Sequence, residues 1–138
     1  TPNDLVKWNN AVFSHRLIAD SLLQFAHQSY QLKNGSDTHY GYGWIISELQ
    51  GETKISHGGY LEGFNSALYY LPNSDITVVV LSNCTNLQTD KLANRLGAIA
   101  IKKPIIEKKS IKLDIIIPPK IIKSSKCFLI LPKLVKRL

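Results

Sequence analysis

The hydrophobic rhythm of the chain changes along its length. Near the start Leu5, Trp8, Val12 and Leu17 recur at roughly helical spacing, which predicts an amphipathic opening helix. Thr1 can cap it, Pro2 suits the first helical position, and Asp4 lies in the first turn, where an acid favours the helix dipole. A second short helix is predicted over 19–27. The turn formers Lys33-Asn34-Gly35-Ser36-Asp37 then end this regime.

From Tyr40 to Asn83 the pattern predicts strands over 40–48, 53–57, 65–71 and 76–82. Gln50-Gly51-Glu52 and Pro72-Asn73-Ser74-Asp75 separate them as tight turns, so successive strands should be antiparallel. The run Ile76-Thr77-Val78-Val79-Val80-Leu81 is β-branched and nearly all apolar, as expected of a central strand covered on both faces. Leu92, Leu96, Ile99 and Ala100 form the apolar face of a further helix, with Asp90 near its start and Lys102-Lys103 at its end. That helix is expected on one sheet face, with the opening helices, or a region N-terminal to this chain, on the other. The predicted class is α+β: an antiparallel sheet of about four strands with helices packed on it.

After Ile101 the composition shifts. Ile and Lys supply 19 of the 37 residues from Lys102 to Leu138, and Pro118-Pro119 excludes a continuous helix there. The net charge of +7 belongs to this tail: six basic face eight acidic residues up to Ile101, and eleven face two beyond it. A nucleic-acid reading would need aromatics between the lysines, and only Phe128 is present, so a solvated segment is favoured over a polyanion-binding one and no nucleic-acid partner is expected. The tail, 104–138, is expected to be a poorly ordered segment or linker; the rival is a strand pair over 111–117 and 127–131 docked on the sheet. No apolar run approaches the roughly 20 residues of a membrane span, so no transmembrane segment is expected. Cys84 and Cys127 have neither CxxC nor zinc-ligand spacing, and no metal or cofactor is called for. A chain that opens at Thr1 and holds no Met is at least as readily a segment of a longer polypeptide as a complete product, and no signal peptide can be read from it.

Chemistry concentrates in Ser56-His57-Gly58-Gly59-Tyr60-Leu61-Glu62-Gly63-Phe64-Asn65, read as closing one strand and turning into the next. Two glycines after a histidine let a ligand lie against bare backbone and permit unusual dihedrals, and free edge amides can donate to a developing oxyanion. The bland alternative is an ordinary turn beside a structural histidine. Ser56 and His57, as strand neighbours, point to opposite faces and cannot readily form a dyad. Tyr40, Tyr42 and Trp44 are read as structural aromatics, and His15, His27 and His39 as surface or packing residues.

Four blocks occur in order: Thr1-Pro2-Asn3-Asp4-Leu5, Tyr40-Gly41-Tyr42-Gly43-Trp44, His57-Gly58-Gly59 with Gly63-Phe64, and Val78-Val79-Val80-Leu81-Ser82-Asn83. In combination they resemble the C-terminal part of the β-lactamase and penicillin-binding-protein superfamily of serine hydrolases, in the group of class C β-lactamases, D-aminopeptidases and related esterases. The resemblance covers residues 1–103 and implies a partial transpeptidase-type domain. It implies acyl transfer on a small-molecule or peptide substrate (a β-lactam, a D-amino-acid peptide or an ester) and a periplasmic or secreted location. By the same resemblance His57, Gly58 and Gly59 fall on the family's third motif: His57 would bond the substrate or the catalytic tyrosine, the glycines would line the substrate, and the Tyr60 backbone N–H would join the oxyanion hole.

The departures are as informative. No Ser has Lys three residues on, no Tyr has Asn two residues on, and no Gly-x-Ser-x-Gly elbow occurs. Both missing motifs lie N-terminal to this block in the family, so the nucleophile is expected on the N-terminal part of the same protein. The other reading is a remnant or binding module that keeps the groove without turnover.

Limited proteolysis of the chain should cut between Lys102 and Lys126 well before residues 40–83 are attacked. A tail as resistant as the sheet would refute its exclusion from the hydrolase core.

Overall fold

Each strand of the central sheet is joined to the next by a short turn whose chemistry is visible in the sequence. The computed structural model describes residues 1–84, 87–102, 129–130 and 135–136. Helices α1 (Pro2–Phe13) and α2 (Asp20–Ala26) precede strands β1 (Ile45–Leu49), β2 (Glu52–Leu61), β3 (Phe64–Leu71) and β4 (Ile76–Ser82), and helix α3 (Thr89–Ala100) follows. The strands lie in the order β1-β2-β3-β4, all antiparallel, which gives the expected α+β class.

Gln50 and Gly51, both at positive φ, form the two-residue turn between β1 and β2, and Glu62-Gly63 joins β2 to β3. Asp75 takes a positive φ at the end of the β3–β4 turn, where its carboxylate accepts from the Tyr70 hydroxyl at 2.7 Å. Two strands, β3 and β4, fall close to their predicted limits. The predicted strand at 40–48 starts later, at Ile45, with Tyr40 held in an isolated bridge to Ile45. The predicted strand at 53–57 runs on to Leu61, because Gly58 and Gly59 stay in the ladder opposite Ala67 and Ser66.

α1 begins with the expected cap: the Thr1 hydroxyl accepts from the Asp4 N–H, and the Asp4 carboxylate bonds back to the Thr1 amino group. Its buried stripe differs from the predicted one. Pro2, Val6, Asn9 and Val12 face inward, whereas Trp8 is 44% exposed and Leu17, past the helix end, is exposed. The cause is a polar pairing that hydrophobicity does not mark: Asn9 donates its amide to the Thr77 hydroxyl at 2.9 Å, both side chains buried. Thr77 is a polar residue buried within β4, and a polar residue on α1 meets it.

β4 is covered on both faces, as expected. Val78, Val79 and Val80 are fully buried. Val78 and Val80 join Ala67, Tyr69, Leu71 and Ile76 in a cluster closed by Ala93 of α3, with Leu92, Leu96 and Ala100 packed at its margin. The predicted α3 stripe is thereby rotated slightly: Ala93 and Gly97 lie at its centre and Ile99 is exposed. On the opposite face α1 covers the sheet, with Phe13 against Tyr70 at 4.2 Å between ring centroids. Two-residue strands β5 (Leu129–Ile130) and β6 (Val135–Lys136) pair antiparallel with β4 at Leu81–Ser82 and Ile76–Thr77. The predicted strand at 111–117 and most of the 104–138 tail lie outside the described residues.

Gly97 is where α3 and the sheet approach most closely. A Cβ there would collide with the Tyr69 hydroxyl and lie 3.0 Å from a Leu49 methyl, and that hydroxyl donates to the Ala93 carbonyl at 2.7 Å. Alanine would gain up to about 1 kcal/mol of helix propensity. Overpacking costs about 1–3 kcal/mol and a displaced buried donor a similar amount, so packing wins. Gly97→Ala should therefore destabilise the chain by roughly 1–3 kcal/mol in urea unfolding. A gain in stability would contradict this account of the interface.

Candidate functional site

The direction of every backbone group along β2 follows from its pairing with β1. The Gly41 N–H donates to the Trp44 carbonyl at 2.8 Å and the Ile46 N–H to the His39 carbonyl at 2.8 Å, so residues 44 and 46 turn their polar groups away from β2. Ile45, opposite Ser56, therefore turns its own N–H and C=O toward β2. Along β2 the residues facing that edge are Glu52, Lys54 and Ser56, and by alternation Gly58 and Tyr60. β1 ends at Ile45, so the edge beside Gly58 and Tyr60 is open, and among the described residues no hydrogen bond reaches either amide.

An open groove of about 440 Å³ lies against β2 and β3 on the α3 side of the sheet and reaches this edge at Ile45; His57, Gly58, Gly59 and Tyr60 all line it, with Asp90 and Asn94 from α3. The sequence-predicted residues are thus brought together. His57 projects on the α1 side of the sheet, on the same face as Leu68 opposite it, while Ser56 projects on the α3 side; the two do not form a dyad. The Ser56 hydroxyl instead reaches the Ile45 carbonyl at 3.4 Å.

The glycines are required for a different reason than expected. Neither Gly58 nor Gly59 has a positive φ; both are regular strand residues. A Cβ at Gly58 would lie 3.1 Å from the Ser66 carbonyl oxygen and 3.5 Å from the Asp90 carboxylate, and one at Gly59 would lie 2.9 Å from the Ser66 hydroxyl. The segment does not close the strand either: the turn comes at Glu62-Gly63.

Near the groove lie two basic side chains of different kinds. Lys54 is partly buried on the α3 side, donating to the Asn94 side chain at 3.2 Å with its ammonium 5.7 Å from the centre of the Tyr69 ring. Burial holds its pKa below the ordinary lysine range, with the Asp90 charge opposing. His57 is exposed, and its Nε2 lies 3.1 Å from the Tyr40 hydroxyl, with the two rings edge to face at 6.2 Å.

Tyr40, read from sequence as structural, thus meets the His57 ring. Only the fold carries it there: the Tyr40 carbonyl accepts from the Tyr30 N–H at 2.9 Å, and Gly41 fits against the Ala26 carbonyl, where a Cβ could not. Trp44 is buried as expected, between Trp8, Phe13 and His27. His27 is a packing residue, stacked on Phe13 at 5.1 Å, and burial lowers its pKa. His15 and His39 lie at the surface beside Asp20 and Asp37. Among the described residues no cluster of three or more His, Cys, Asp or Glu could hold a metal ion, and no helix is long and apolar enough to cross a membrane.

Comparison with known proteins gives the fold a context. An octameric penicillin-binding protein homologue from Pyrococcus abyssi shares it with a TM-score of 0.64 at 24% sequence identity, over 72% of this chain. The chain spans only 24% of that protein's length. No curated protein matches the chain. The family model described as Beta-lactamase matches residues 1–102, the part that carries both helix layers, the four long strands and the open edge. The chain belongs to the beta-lactamase family.

Proposed function

We propose that this chain is the C-terminal portion of a serine hydrolase that transfers acyl groups from an amide or ester, and that it supplies one wall of the active site. The observation that carries this reading is the open β2 edge, where the Gly58 and Tyr60 backbone groups face a groove beside His57. In acyl transfer the scissile carbonyl oxygen gains negative charge as the nucleophile adds. A backbone N–H fixed by a sheet can stabilise that charge with no reorganisation, and removing one such donor costs about 10²–10³ in rate. The Tyr60 N–H is that donor, paired with the N–H of the nucleophilic residue itself. His57 hydrogen-bonds the substrate or the proton-transfer tyrosine, and Gly58 and Gly59 keep the strand bare enough for substrate to lie along it.

The nucleophile comes from the N-terminal part of the same protein, in keeping with the absence of Ser-x-x-Lys and Tyr-x-Asn from the sequence. A β-lactam, a D-amino-acid peptide and a simple ester all suit this wall. The same absence supports a second reading, a binding module of the same fold that keeps the groove without turnover.

A fluorescent penicillin or fluorophosphonate separates them. It should acylate a polypeptide extended upstream through the nucleophile and leave the 138-residue chain unlabelled. Labelling of the chain alone would overturn the placement of the nucleophile, and an unlabelled extended polypeptide would favour the binding module. In the extended polypeptide Tyr60→Pro removes an N–H that the sheet does not use, so acylation should fall about 10²–10³-fold with the ladder to β3 kept. Tyr60→Ala, which keeps that N–H, should react at close to the parent rate, and His57→Ala should impair acylation with little loss of stability. Equal losses in the two Tyr60 variants would argue against the backbone donor.

A further inference from the structure

Tyr40 and His57 are 17 residues apart in sequence and meet Oη to Nε2 at 3.1 Å. We propose that Tyr40 is a positioning residue that fixes the His57 tautomer, so that the imidazole presents its Nδ1–H, rather than Nε2, as the donor toward a bound acyl substrate. The role of His57 in that chemistry rests on the proposed function above; the tautomer itself does not.

A neutral imidazole has one N–H and one bare nitrogen, and the group bonded to one nitrogen decides the state of the other. A phenol is a better donor than acceptor, and a bare imidazole nitrogen is a strong acceptor. An O–H···Nε2 bond is therefore the stronger of the two possible pairings, and it puts the ring proton on Nδ1. Among the described residues no carboxylate forms an ion pair with His57 that would select the other state.

The geometry is held from both sides. His57 sits in the interior of β2, opposite Leu68 of β3. Tyr40 is fixed through its backbone: its carbonyl accepts from the Tyr30 N–H at 2.9 Å and from the Thr38 hydroxyl at 3.2 Å, and its N–H donates to that hydroxyl at 3.2 Å. A side chain that served only as packing would not need its polar end aimed at a ring nitrogen. Tyr40 is 41% exposed, so packing does not account for its position.

The test is ¹⁵N NMR of the His57 ring in the 138-residue chain, above the pH at which the ring is neutral. The expected result is a bare Nε2 and a protonated Nδ1. In Tyr40→Phe, which keeps the ring and loses the hydroxyl, the proton should shift toward Nε2, the form that predominates in free histidine, with the other amide resonances unchanged. A protonated Nε2 in the parent chain, or the same ring shifts in Tyr40→Phe, would overturn the proposal. In the acylating extended polypeptide, Tyr40→Phe should lower kcat more than it raises KM and have no further effect when His57 is already Ala, since both changes remove one interaction. Additive losses would overturn the coupling between the two residues and leave the acyl-transfer reading standing; absence of acylation in the parent would count against that reading and leave the NMR result intact.

Discussion

The Gln50-Gly51 turn sets the register on which the rest of the site depends. Because the side-chain and hydrogen-bond periods of a strand are both two, a slip of one residue between β1 and β2 would invert every direction downstream. His57 would then face α3, and the Tyr60 N–H would point into the sheet toward β3. The two positive φ values at Gln50 and Gly51 permit a two-residue hairpin of the right twist, and the pairing of Leu49 with Glu52 that it closes propagates to Ile45 and Ser56. A second check comes from outside the hairpin: the Ile46 N–H is committed to the His39 carbonyl, which leaves Ile45 the one to face β2.

Turns and strands were legible in the sequence for the reason that makes them rigid. Gly-containing tight turns and β-branched runs encode local dihedrals, and these need no knowledge of the fold. What lay beyond reach depended on partners distant in sequence. The inward stripe of α1 is centred on Asn9 because Thr77, 68 residues away, presents a buried hydroxyl. Hydrophobic periodicity assigns Asn9 to solvent and Trp8 to the core, and the structure reverses both. Gly58 and Gly59 looked like the end of a strand because glycine is a poor strand former, yet the ladder continues through them, with the Ser66 backbone and side chain crowding the space a Cβ would take. Of the site itself, the grouping of His57, Gly58, Gly59 and Tyr60 along one groove was legible. Tyr40 was not, since a tyrosine beside a glycine before a strand carries no mark of the histidine it will meet.

The sheet also explains which surfaces remain exposed. Its two faces are closed by α1 and α3, and β4, the strand between them, is almost wholly buried. The β2–β3 tip is different: Tyr60, Leu61 and Phe64 are all exposed around Glu62-Gly63, and the open edge of β2 adjoins them. An apolar hairpin tip beside unpaired backbone groups is an unfavourable surface to leave in water, since burying a large apolar side chain is worth about 1.5–3 kcal/mol.

A catalytic wall built from backbone groups has a consequence for how such a site can be divided between segments. The oxyanion donor proposed here is an amide whose direction is fixed by strand register, so its accuracy depends on β1, β2 and β3 and not on the identity of residue 60, whose side chain is exposed. A nucleophile, by contrast, must be activated by side chains within hydrogen-bond reach of it, so the serine and its base have to travel together on one piece of chain. The sequence follows that division. It holds the sheet, the turn that sets its register and the histidine with its tyrosine partner, and it lacks both members of the Ser-x-x-Lys pair.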